Sequence, residues 1–110
     1  MFEIDPHRVN EQKEIGKSGV EKLFVQTVSR NGGRAIKFTA PGTRGVSDRV
    51  VLFPNQVWFV ELKRASGKLT PLQRIFKDYI TELGLNHYVV YGAEGIKKFM
   101  EKVNDKSREA

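Results

Sequence analysis

Two carboxylates and a lysine are the residues whose types and spacing best suit chemistry in this chain. Glu61 and Lys63 close the apolar run Val57-Trp-Phe-Val-Glu-Leu-Lys63, and Asp48 opens the preceding run Asp48-Arg-Val-Val-Leu-Phe53. Side chains alternate along a strand, so Val57, Phe59, Glu61 and Lys63 share one face, while Trp58, Val60 and Leu62 share the other. Glu61 and Lys63 then project side by side, roughly 6.5 to 7 Å apart. If the two runs form a hairpin around Pro54-Asn55-Gln56, Asp48 arrives at the same end. Its face depends on the parity of the turn. A four-residue loop from Phe53 to Gln56 pairs Leu52 with Val57 and, counting back, Asp48 with Glu61. A three-residue loop pairs Asp48 with Leu62 and puts it on the wrong face. A two-residue type I′ turn at Pro54-Asn55 is excluded, because proline cannot take a positive φ. The even register is therefore expected, unless a bulge corrects an odd one.

Two carboxylates at one strand end suit a hard divalent cation such as Mg²⁺ or Mn²⁺, which takes oxygen ligands and keeps several waters. The backbone carbonyl of Leu62, between them, is a further candidate ligand. Such an ion would relieve the repulsion between Asp48 and Glu61, attract a phosphate oxygen and acidify a water for attack on phosphorus. Lys63 is placed to orient that water, to stabilise developing negative charge, or to take a proton. The bland alternative is a Glu-x-Lys that merely meets solvent at a strand end.

The surroundings weigh against that alternative. Net charge is +6, and from Leu23 to Lys77 there are ten Lys or Arg but only two carboxylates, Asp48 and Glu61. Such a bias suits a polyanion, most simply nucleic acid. A phosphate-binding surface should avoid carboxylates unless it uses them. Arg44, Arg49, Arg64, Lys68 and Arg74 are the candidate DNA contacts. Trp58, facing away from Glu61, is expected in a core or interface. His7 and His87 share no ligand spacing and are assigned to surface or packing roles.

The elements that must position these groups follow from periodicity and punctuation. A helix is expected from Ser18, with Ser18-Gly-Val-Glu21 as a capping box and Val20, Leu23, Phe24, Thr27 and Val28 on one face. Asn31-Gly-Gly33 stops it. A short strand follows at Arg34 to Thr39, then the loop Ala40-Pro-Gly-Thr-Arg-Gly45 and the hairpin. Thr70, Pro71 and Gln73 form a second helix start of capping-box type. Leu72, Ile75, Phe76, Tyr79, Ile80 and Leu83 recur at helical spacing, which lays this helix against a core until Gly84 ends it. A strand at His87 to Tyr91 and a helix marked by Ile96, Phe99, Met100 and Val103 complete the order α-β-β-β-α-β-α. An earlier helix beginning at Asp5-Pro6 has a thin apolar pattern. The polar tail 104–110 is expected to fray. The fold class is α/β, with a mixed central sheet flanked by helices.

Length and composition agree with one domain over residues 1–110, its core at about 18–103. The chain is 110 residues long, 39% hydrophobic and 29% charged, as in an ordinary globule. It lacks cysteine, so neither disulfides nor thiolate metal sites arise. No apolar stretch approaches the ~20 residues that span a bilayer, and the N-terminus is too polar for a signal peptide. A cytoplasmic protein is expected.

Asp48 followed by Glu61-x-Lys63 at the end of the next strand resembles the PD-(D/E)XK nuclease motif. More narrowly, Glu21, Gly45-Val-Ser-Asp48, Val60-Glu-Leu-Lys63 and Gly67-Lys-Leu-Thr-Pro71-Leu-Gln73 resemble a VRR-NUC domain. The likeness covers about residues 18 to 91. Ser47 departs from the proline most common there, which touches local stiffness rather than ligation. The resemblance implies a restriction-endonuclease-like core and a metal-dependent nuclease using Mg²⁺ or Mn²⁺. It implies a site role for Glu21, at the metal directly or through water, and for Gln73, each beside its local reading as a capping-box residue. Small stand-alone members, often from phages, resemble homodimeric junction resolvases, and members embedded in larger proteins act on flap-like DNA. The expectation is a homodimeric DNA endonuclease acting on branched DNA such as four-way junctions. The alternatives are a non-catalytic nucleic-acid-binding module of the same fold, or a flap-type nuclease subunit that needs a partner.

Overall fold

The computed structural model describes residues 14–109. His7 and the candidate helix at Asp5-Pro6 lie outside them. The elements are α1 (Lys17–Arg30), β1 (Arg34–Lys37), β2 (Arg49–Phe53), β3 (Gln56–Lys63), α2 (Pro71–Glu82), β4 (Asn86–Tyr91) and α3 (Gly92–Glu109). The order is the expected one. The four strands lie as β1-β2-β3-β4. The first two pairings are antiparallel and β3 pairs with β4 in parallel, so the sheet is mixed. A parallel neighbour requires a crossover, and α2 supplies it.

The hairpin has the even parity. Leu52 faces Val57, and pairing continues to Phe53–Gln56 at the turn and to Arg49–Val60 at the far end. The connection is tighter than the expected four-residue loop, since only Pro54 and Asn55 lie outside the ladder. Asn55 has φ +62°. Proline at the first central position and a left-handed asparagine at the second is the type II pattern, which satisfies proline's fixed φ where type I′ cannot. Shortening the loop by one residue on each strand preserves parity.

One face of the sheet carries the core. Val51, Trp58, Val60, Leu62 and Val90 pack with Val20, Leu23, Phe24 and Val28 of α1 and Ile96, Phe99, Met100 and Val103 of α3. Trp58 is in this core, edge-on to Phe99 at 5.3 Å, and its indole N–H donates to Gln56 Oε1 at 2.8 Å. The tail expected to fray is helical as far as Glu109. A polar bridge ties it down, because Gln56 Nε2 donates to both the Val103 carbonyl and Ser107 Oγ at 3.0 Å.

The opposite face is only partly covered by α2. Phe76 packs there against Phe38, Phe59 and His87. The apolar spacing of α2 promised a buried stripe, yet Ile80 is its one buried residue. Leu72, Ile75, Tyr79 and Leu83 are exposed, Ile75 at 64%. The helix rests on the sheet through Phe76 and Ile80, at one edge of the stripe, and the other edge stays open. At its C-terminus Gly84, at φ +77°, closes a Schellman motif in which Leu85 N–H reaches the Ile80 carbonyl and Gly84 N–H the Thr81 carbonyl.

Candidate active site

Asp48 stands just before β2, and its backbone carbonyl accepts from Phe38 N–H at 3.0 Å. Its side chain turns toward β3, where Oδ2 accepts from Leu62 N–H at 2.8 Å. This tie fixes the carboxylate against the strand end that carries Glu61. The loop before it is held close to α2. Gly45 has φ +83°, and a Cβ there would stand 2.5 Å from the Leu72 carbonyl oxygen. Only glycine fits that approach. Ser47, just before Asp48, is buried.

Glu61 is 1% exposed. Burial pushes its pKa up to about 7, and the neighbouring Asp48 carboxylate adds to the shift, against the lowering effects of Lys17 and Lys63. Three groups converge on its Oε2: Gln73 Nε2 at 3.1 Å, Lys63 Nζ at 3.7 Å and Lys17 Nζ at 3.7 Å. Lys63 is thus where strand alternation put it, beside Glu61 and mostly shielded from solvent.

Gln73 forms the expected capping box and also reaches Glu61. Its backbone N–H donates to Thr70 Oγ1 at 3.2 Å, and its side-chain Oε1 accepts from Thr70 N–H at 2.9 Å. The capping box uses the oxygen end of the amide, which aims the NH₂ end at Glu61.

Glu21 behaves differently. Helix α1 begins at Lys17 after an extended Gly16 with no side-chain cap, so the Ser18–Glu21 capping box does not form. Ser18 lies inside the first turn, where its hydroxyl no longer precedes the helix. The Glu21 carboxylate is held by Arg49, with Oε2 at 2.9 Å from Nη2 and 3.1 Å from Nε. Glu21 therefore meets Asp48's neighbour rather than Asp48 itself. The same pairing engages Arg49, and Arg64 is engaged by Glu14 at 2.7 Å. Arg44, Lys68 and Arg74 are exposed and carry no ion pair among the described residues.

Lys17 was missed by sequence reading. Its Nζ lies 3.2 Å from both oxygens of Asp48 as well as 3.7 Å from Glu61. Its partner is 31 residues away in sequence, and no local pattern could announce it. His87 is a packing residue, as expected: its ring lies 5.9 Å from Phe76, and burial pushes its pKa down to about 4, so it is neutral.

Among the described residues no three His, Cys, Asp or Glu side chains form a metal-holding group. A caged zinc site is therefore not the chemistry of this donor set. The set fits a hard cation bound through two carboxylates and water, because Asp48 and Glu61 already converge on one ammonium. The Leu62 carbonyl belongs to the same strand end.

No protein-family profile matches the chain. A solved VRR_NUC domain superposes with a TM-score of 0.74 at 28% identity, covering 77% of this chain and 94% of that one. The class is thus a nuclease domain, with the mixed sheet and flanking helices of the restriction-endonuclease-like core. In sequence the chain is 37% identical over 92 residues to "Putative nuclease p44" of Acyrthosiphon pisum secondary endosymbiont phage 1, covering 82% of this chain and 97% of that protein. The chain belongs to the VRR-NUC family. No helix among the described residues is long and apolar enough to cross a membrane.

Proposed function

We propose that this protein is a Mg²⁺- or Mn²⁺-dependent endonuclease that hydrolyses phosphodiester bonds in branched DNA. The observation that carries the reading is the convergence of Asp48, Glu61, Lys63 and Gln73 at one strand end, with two carboxylates sharing a single cation. Asp48, Glu61 and the Leu62 carbonyl would hold the metal. When bound, the ion supplies positive charge to phosphoryl oxygens and lowers the pKa of a water. The chain's own residues do the rest. Gln73 fixes the rotamer of Glu61, and the Leu62 N–H fixes Asp48. Lys63 stands beside Glu61, where its ammonium orients the attacking water and offsets charge that builds on the phosphorane oxygens. Arg44, Lys68 and Arg74, exposed on the segments around the site, hold the phosphate backbone.

A second copy would suit the exposed apolar stripe of α2. The N-terminal turn of that helix carries Gln73, so a two-fold contact along it would give the dimer two equivalent sites related by the axis. Symmetric cutting of a four-way junction needs such a pair.

The test is incubation of purified protein with a four-way junction, a flap and linear duplex, with and without Mn²⁺. Metal-dependent cutting of the junction is expected, and Glu61→Ala should abolish it while leaving DNA binding intact. Equal cutting by both proteins would point to a contaminant and remove the site assignment. Binding by both without cutting would make this a nucleic-acid-binding module. Cutting of the flap alone would favour the flap-type reading.

A further inference from the structure

Lys17 holds a position that local physics disfavours. It is the first residue of α1, and the first turn of that helix contains no acidic residue. The N-terminus of a helix is the positive end of its dipole, so an ammonium there is repelled by the helix that carries it. The side chain nonetheless bridges Asp48 Oδ1 and Oδ2, both at 3.2 Å, and Glu61 Oε2 at 3.7 Å. Two carboxylates therefore set its place. The contrast with Lys63 is informative, since both ammoniums lie 3.7 Å from the same Glu61 oxygen. Lys63 is 13% exposed and is held within the sheet face, whereas Lys17 is 44% exposed on a flexible four-carbon stem. One is built in, and the other can leave.

We propose that Lys17 is a displaceable counter-ion: its ammonium neutralises Asp48 and Glu61 in the metal-free protein, and a divalent ion binding to those carboxylates expels it into solvent. The inference rests on the metal-binding reading given above and adds a competitor to it. With Lys63 already beside Glu61, a divalent ion and Lys17 together would set four positive charges against two carboxylates, with strong repulsion at these distances. Metal affinity is thereby reduced by a residue of the chain itself, and the carboxylate pair is never left uncompensated between metal-bound states.

Calorimetric titration of chelator-stripped protein with Mn²⁺ tests this. Lys17→Met should bind Mn²⁺ roughly tenfold more tightly than wild type, the size expected from removing one charge a few ångströms from the ion. Lys17→Glu, which sets a third carboxylate where the ammonium stood, should bind more tightly still. Equal or weaker binding by Lys17→Met would overturn the proposal while leaving metal binding by the wild type, and so the proposed function, intact. Binding by Lys17→Met where the wild type shows none would support it. Absence of binding in both would sink the counter-ion and the metal site together. A second readout uses the wild-type chain. After reductive ¹³C-methylation, the Lys17 methyl signal should shift as Mg²⁺ is added and stay still in Glu61→Gln. An unmoved signal in metal-bound wild type would overturn the proposal even if the Lys17 variants fail to fold.

Discussion

Leu62 and Glu61 are neighbours on β3, both shielded from solvent to within 1%, and they meet opposite worlds. Leu62 faces the apolar layer of α1 and α3. Glu61 faces the side that α2 only partly covers, with two ammoniums, an amide and a second carboxylate around it. Equal burial therefore does not mean equal purpose. On one face burial removes apolar surface from water and stabilises the fold. On the other it raises the energy of a charge, which the neighbouring ammoniums partly offset. The period of two along a strand lets one eight-residue segment serve both ends.

The sharpest break in that comparison is Leu62→Ala. Truncating a fully buried leucine should cost about 3 kcal/mol, read as a lower denaturation midpoint, with little change in cutting at temperatures where the protein stays folded. Glu61→Gln should do the reverse, removing cutting while stabilising the metal-free protein at pH 8 by up to about 3 kcal/mol. The sign follows from the raised pKa of Glu61. Between about 4.5 and 7 the folded chain holds a proton that the unfolded chain has lost. This contribution is fully present below pH 4.5 and is lost as pH rises through 7. His87 runs the other way, since its pKa is pushed down from 6.5 to about 4. Its contribution is present above 6.5 and is lost as pH falls through 4. Melting temperature against pH for wild type and Glu61→Gln separates the two slopes. If the variant keeps the loss of stability between pH 5 and 7, Glu61 is not its source.

The smallest effect on stability sharpens the same contrast within α2. Ile75 is 64% exposed while Ile80 is 5% exposed. Ile75→Lys should change unfolding free energy by less than about 0.5 kcal/mol, yet dissociate a dimer formed along this stripe. Light scattering across a concentration series measures it. A monomeric wild type would dismiss that dimer outright.

Much of the candidate site's geometry was readable because its rules are local. Alternation put Glu61 and Lys63 on one face, and the even register expected of the hairpin formed through a tighter turn at Pro54-Asn55. Thr70-Pro71-x-Gln73 announced a capping box that also aims an amide. The loop length was overestimated because a left-handed asparagine after proline allows two more residues to pair. The capping box assigned to Ser18 failed for a related reason: the same motif reads equally well one turn inside a helix, and only the path of the preceding chain decides.

What the sequence by itself determined is the sheet face, the register and the chemical types at the strand end, since each depends on residues within hairpin or helix-turn reach. Tertiary structure alone decided which charges meet. Docking of α1 brought Lys17 to Asp48 across 31 residues and to Glu61, and gave Glu21 to Arg49, while the seating of α2 left Leu72, Ile75 and Tyr79 facing water. Long-range pairing of charges depends on where whole elements come to rest, and no spacing within one element encodes it.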